Sequence, residues 1–115
     1  MKESIIKEKS YAFALLIIGL AHWLRERKEY DLASQVLRAE TGIGANVEEA
    51  LAGVSRADFI AKMAMASKEA RETHYWLRLL RDSKIVPAEK VTSLTDECLA
   101  LVRILTAIVK TGRGR

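Results

Sequence analysis

The chain has 115 residues, a 30% charged fraction, a 50% hydrophobic fraction and a formal net charge of +4. Its mean hydropathy is near zero. That size and balance suit one globular domain, and exclude disordered and collagen-like chains. One proline and six glycines are too little punctuation for an all-β fold, and the lone Cys98 excludes a disulfide framework or a cysteine-built zinc site.

The first predicted helix covers about residues 4–27, with Ser4 as a possible cap and apolar residues returning at helical spacing. Its apolar run Tyr11–Leu24 is 14 residues long. A membrane-spanning helix needs about 20, so the run reads as a packed helix. Mixed charges precede it and no small-residue cleavage site follows, which leaves no secretory signal and an expected cytoplasmic location.

The second helix is predicted over about 31–52, with Asp31 as its N-cap. Gly42 and Gly44 look like a loop, since each glycine costs about 1 kcal/mol inside a helix. The period argues otherwise. Leu32, Val36, Ala39, Ile43, Val47, Ala50 and Val54 form one stripe that crosses both glycines in phase. A continuous helix follows, with Gly42 and Gly44 expected to admit a closely packed neighbouring backbone. Gly53 offers a stop.

Ser55 is a plausible N-cap for a third helix over about 55–84, with Asp58 completing a loose capping box. Pro87 opens a fourth, over about 87–110, where its missing N–H does no harm. The tail 111–115 is basic and expected to fray. Long helices with short links imply an all-α, antiparallel up-down-up-down four-helix bundle, one domain over 1–115.

Helices 1 and 4 are apolar over more of their circumference than the edge of a monomeric bundle needs. Left in water, such faces would exceed the apolar patches monomers tolerate, so a homo-oligomer is expected. The alternative is a monomer with these two helices central.

Nothing supports catalysis or a cofactor. A di-iron carboxylate bundle needs Glu-x-x-His on two helices, and the chain has none. Glu72-Thr-His74 places its two ends on different faces. Cys98 sits among leucines with no histidine nearby in sequence, as a small buried thiol does. No metal centre is expected.

Two polar groups remain. Asn46, Glu48 and Glu49, with Glu69, Glu72 and Tyr75 on the third helix, read as a structural network of carboxylates meeting a neighbour's cations; a binding role for Glu48 or Glu49 is the alternative. Arg71, His74, Arg78 and Arg81 form a basic stripe, with Lys68 and Lys84 near its ends and Arg113 and Arg115 in the tail. Such a stripe is either a solvated face or a track for phosphates, along which Tyr75 and Trp76 could stack on bases.

The blocks Thr41-Gly-Ile-Gly-Ala-Asn-Val-Glu-Glu-Ala50, Ser55-Arg-Ala-Asp-Phe59 and Lys68-Glu-Ala-Arg-Glu-Thr-His-Tyr-Trp-Leu-Arg-Leu-Leu80, with Ser10-Tyr-Ala-Phe-Ala14 before them, carry a resemblance. In that order and spacing they resemble the bacterial four-helix-bundle proteins encoded in 23S rRNA intervening sequences, also labelled S23 ribosomal proteins. Two departures from that pattern stand out: Gly42, where serine is common, and the pair Ala39-Glu40, where a small residue and glycine are usual. The family is similar to the accessory proteins of diversity-generating retroelements. The resemblance therefore implies a homopentameric barrel with a basic surface, RNA or DNA and a reverse transcriptase as partners, and no enzymatic activity. The expected function is non-specific nucleic-acid binding by a homo-oligomer. The alternative is an adaptor that binds another protein through the bundle surface.

Overall fold

A computed structural model describes the backbone of residues 2–114 and the side chains of residues 5–114. It is a bundle of four helices: α1 (Lys2–Glu26), α2 (Tyr30–Leu51), α3 (Arg56–Asp82) and α4 (Ala88–Arg113). The rod measures 46 × 20 × 19 Å. Packing runs α1 on α2, α2 on α3, α3 on α4 and α4 back on α1, which leaves α1 diagonal to α3.

The helix ends show what the sequence signals could and could not specify. Ser55 caps α3, its hydroxyl accepting from the Asp58 N–H at 3.0 Å. Ser4 does not cap α1, because that helix already begins at Lys2. Asp31 does not cap α2. The helix starts at Tyr30, Glu29 stands at the cap without a side-chain bond, and Asp31 lies in the first turn. There its charge still complements the helix dipole. The cause is the tight exit from α1: Lys28 takes a left-handed φ of 66°. The N–H groups of Lys28 and Glu29 then close on Arg25 and Leu24 carbonyls, a Schellman-type stop normally reserved for glycine. Lys84 adopts the same conformation, φ 64°, after α3. The α4 helix continues three residues past its expected end, so residues 111–113 of the tail are helical. Arg56 at the start of α3 donates to the Gly112 carbonyl at 3.4 Å and ties that end down.

Helix α2 runs unbroken through both glycines, as the stripe's phase requires. The expectation of a closely approaching backbone there is corrected. A Cβ on Gly44 would meet nothing within 4 Å. A Cβ on Gly42 would stand 2.9 Å from Glu69 Cγ and Cδ, so the notch holds a side chain from α3 instead.

One core runs the length of the rod, built from Ile6, Ile17 and Leu24 of α1, Val36, Ile43 and Val47 of α2, Met63, Leu77 and Leu80 of α3, and Leu101 and Leu105 of α4. Glu40 is set into it, 1% exposed, with no hydrogen-bond partner for Oε1. Burial pushes its carboxyl up to about 8. Cys98 is near by; burial, with a smaller contribution from Glu40, pushes the thiol up to about 12. Its Sγ donates to the Ala70 carbonyl at 3.3 Å. This thiol is held protonated and has none of the thiolate character that nucleophilic chemistry needs.

Glu40 gives stability a pH dependence of defined sign. The unfolded chain releases this proton near 4.5 and the native state only near 8, so the native state binds the extra proton between those values. Stability contributed by this group therefore falls as pH rises through that window. Glu40→Gln removes the slope. The difference in urea-unfolding free energy between variant and wild type should grow from pH 5 to pH 8, reaching a few kcal/mol. A pH-independent difference would show that Glu40 ionises normally.

Candidate nucleic-acid interface

Helix α3 divides its circumference three ways. Met63, Ala66, Ala70, Thr73, Leu77 and Leu80 are buried. Glu69, Glu72 and Trp76 face the α2 seam. The basic stripe occupies the outer and α4-facing sides.

The stripe's members differ in how free they are. Arg71 donates from Nη2 to Thr106 Oγ1 on α4 at 2.9 Å and has no ion pair among the described residues. The Arg78 guanidinium lies 5.8 Å from the centroid of the Tyr75 ring. Arg81 is clamped by Asp82 at 2.8 Å, and Asp96 of α4 adds a second negative charge near it. His74 is half-buried between them. Lys68 is on the outer face and lowers the pKa of Glu72, towards the α2 side. Lys84 stands in the connection to α4, and Arg115 lies outside the described residues. The positive end of the stripe is thus its N-terminal half, at Arg71, while its C-terminal end is partly neutralised.

Antiparallel packing places Arg71 opposite Thr106 and brings the last turns of α4 beside it. Arg113, expected in a frayed tail, is in that helix and lines the same groove as Arg71. So does Lys110, which sequence reasoning missed. The available signal was the spacing of Arg103, Thr106, Lys110 and Arg113, one face of α4 at steps of three and four.

The two aromatics separate. Trp76 donates from Nε1 to Glu72 Oε2 at 3.0 Å and belongs to the α2–α3 seam. Tyr75 meets it edge-on at 5.4 Å and stays 46% exposed, so only Tyr75 is free to stack on a base.

The polar residues of the seam centre on Arg38, which the sequence reading left out. Arg38 pairs with Glu72, lies 3.8 Å from Glu69, and is braced by Gln35 at 3.0 Å. The Trp76 bond, then Arg38, holds Glu72 below the usual carboxylate range. Glu49 pairs with Lys62 of α3 at 3.0 Å, and Glu48 lies 3.9 Å from Lys7 of α1. Asn46 instead donates to the Gly42 carbonyl of its own helix at 2.7 Å. Tyr75 stands apart from this network. Glu48, Glu49 and Glu72 thus meet cations of neighbouring helices, whereas the buried Glu69 Oε1 has no hydrogen-bond partner.

Diagonally opposite, α1 turns Tyr11, Leu15, Leu16 and Ile18 outward, at 65%, 56%, 48% and 43% exposure. Ala12 and Gly19 lie among them and are also exposed. Two open depressions follow the α1–α4 seam beside this face, one at Ala12 and Ala100 and one at Leu16 and Leu94. Among the described residues no helix is long and apolar enough to cross a membrane.

Comparison with known proteins agrees with this architecture. The model of a family described as 23S rRNA-intervening sequence protein matches residues 2–107. The chain is also similar to a crystal structure at 1.70 Å resolution of a protein with unknown function from the S23 ribosomal protein family of Bacteroides thetaiotaomicron VPI-5482. The two share 41% identity over 96% of this chain and 99% of that one, with a TM-score of 0.91. No curated protein matches. Neither description names a reaction. The chain belongs to the 23S rRNA-intervening sequence protein family.

Burial lowers the pKa of His74, and the charges of Arg78 and Arg81 lower it further. Protonation therefore adds charge to the stripe at a lower pH than for an ordinary histidine. Proton NMR titration should give His74 a midpoint below the ordinary histidine value of 6.5. Replacing Arg78 and Arg81 with glutamine should raise the His74 midpoint part of the way. An unchanged midpoint would show that the arginines do not act on it.

Proposed function

We propose that this family member is a non-enzymatic, homo-oligomeric scaffold that binds RNA or DNA through the basic α3–α4 face. One observation carries the reading: the bundle's two diagonal helices have opposite outer surfaces. The outer side of α1 is uncharged from Tyr11 to Gly19. The outer side of α3 carries Lys68, Arg71 and Arg78, with Lys110 and Arg113 of α4 alongside. Packing copies together through α1 hides the apolar side and turns every basic side outward. Five subunits is the number the family resemblance implies; the apolar face supports association without fixing the count.

Binding of this kind reads phosphate charge and not base identity. Changing Arg71, Arg78 and Arg81 together to glutamine should weaken binding of single-stranded RNA at least about tenfold. It should also flatten the log–log salt slope by roughly 1.4, since each phosphate contact contributes about 0.7 and Arg81, already paired with Asp82, adds little beyond Arg71 and Arg78. Fluorescence anisotropy at several salt concentrations measures both. Unchanged affinity and slope would remove the stripe from the mechanism. No binding by the wild type at low salt would move the reading to the adaptor alternative, in which α1 receives another protein.

Association is checked separately. Light scattering should give a multiple of the 12.9 kDa chain mass. Leu15→Glu with Ile18→Glu, which places two charges on the outward side of α1, should return the protein to monomer while circular dichroism stays helical. A wild-type mass of one chain at micromolar concentration ends the oligomer reading.

A further inference from the structure

Between the first half of α3 and the last turns of α4 lies an open groove of about 600 Å3. That is within the range of small-ligand sites. Ala64 and Val109 give it apolar surface, and Arg71, Lys110 and Arg113 line it with three cations. Among the described residues no carboxylate side chain lines it. The three cations have no salt bridge among the described residues, whereas Lys7, Arg38, Lys62 and Arg81 each have a carboxylate partner. Nor are they needed to satisfy the end of α4. The Gly114 N–H already bonds the Lys110 carbonyl at 2.9 Å, and Arg56 takes the Gly112 carbonyl. Arg71 is positioned by its bond to Thr106 on the facing helix.

An apolar surface joined to converging cations matches a flat ring joined to an anion. Two features choose among nucleic-acid parts. A terminal phosphate monoester carries about −1.5 to −2 charges at neutral pH, against −1 for a backbone diester, and three cations at one place favour the higher charge. A base enters a groove only if it leaves its stack, which a single-stranded end does at low cost. We propose that the α3–α4 groove seats the phosphorylated terminal nucleotide of a single strand, with the base against Ala64 and Val109 and the phosphate among Arg71, Lys110 and Arg113. The nucleic-acid reading above supplies the class of ligand; the groove supplies the preference for an end.

The experiment compares single-stranded decamers carrying a 5′-phosphate, a 3′-phosphate or hydroxyls at both ends, by fluorescence anisotropy. Adenosine monophosphate and inorganic phosphate serve as competitors. One phosphorylated end should bind roughly tenfold tighter than the hydroxyl ends, as added charge-assisted hydrogen bonds allow. Adenosine monophosphate should compete better than inorganic phosphate. Lys110→Gln and Arg113→Gln should abolish the preference, while Arg78→Gln lowers the affinity of all three strands alike and keeps their ratio. Thermal melts confirm that each surface variant folds. Strands that bind with a salt-dependent affinity but without an end preference overturn the groove and leave the proposed function standing. Adenosine monophosphate binding without any strand binding overturns both the proposed function and the strand-end seat. Equal competition by inorganic phosphate overturns the nucleotide seat.

Discussion

The surface of this bundle is governed by one constraint: α1 is apolar on two sides, and an antiparallel four-helix rod can cover only one of them. Each helix touches two neighbours and misses its diagonal partner. The inward side of α1, from Ile6 through Ile17 to Leu24, is consumed by the core. The outward side, Tyr11, Leu15, Leu16 and Ile18, is left roughly half exposed by the rest of the chain. Leucine and isoleucine there are only about half covered by the fold, and what remains exposed carries a solubility cost in water. The helix farthest from them is α3, whose outward side carries Lys68, Arg71 and Arg78 beside the exposed Met65, Tyr75 and Leu79. The uncharged side of α1 and the basic stripe of α3 thus stand on opposite sides of the rod.

Inside the rod, register is held by polar contacts as well as by packing. Apolar helices of similar length can slide past one another by a turn at modest cost, whereas a charge that loses its partner is penalised. Arg38 fixes α2 against α3 through Glu72, and the Glu69 side chain filling the Gly42 notch repeats that register one turn on. Glu49 with Lys62 extends it towards the bundle end. These pairs are partly exposed, so their direct stabilisation is small. Their effect is on which alignment wins. Glu40 has the opposite character: a carboxyl buried without a partner at Oε1 destabilises the fold above its unfolded-state pKa and fixes no alignment by itself.

The helices were legible because apolar spacing is a direct record of burial. The stripe of α2 kept its phase across two glycines, and phase outweighed a propensity penalty of about 2 kcal/mol, since tertiary packing dominates helix stability. The ends were less legible. Lys28 and Lys84 occupy left-handed positions where sequence rules look for glycine, because the turn is imposed by packing of the flanking helices. The stripe on α3 was visible from spacing alone. Its grouping with Lys110 and Arg113 was not, because that depends on the α3–α4 register, which becomes readable only once Arg71 is seen opposite Thr106. Arg38 was missed for the same reason: a lone cation in an acidic segment acquires meaning only from the neighbouring helix.

The two surfaces, taken with the proposed function, are also linked energetically. The basic face of a single bundle offers few phosphate contacts, since Arg81 is taken by Asp82 and the pKa of His74 is lowered. Non-specific affinity built from so few phosphate contacts is weak and is lost first as salt rises. Copies joined through α1 repeat the face, and a strand long enough to reach two of them makes its second contact at a high effective concentration. The same linkage runs in reverse: a strand that bridges subunits binds the assembled state and not the monomer, so it draws the equilibrium towards assembly by mass action. An apolar side that would only be a liability on a monomer is, on this account, what turns a weak basic face into a useful one.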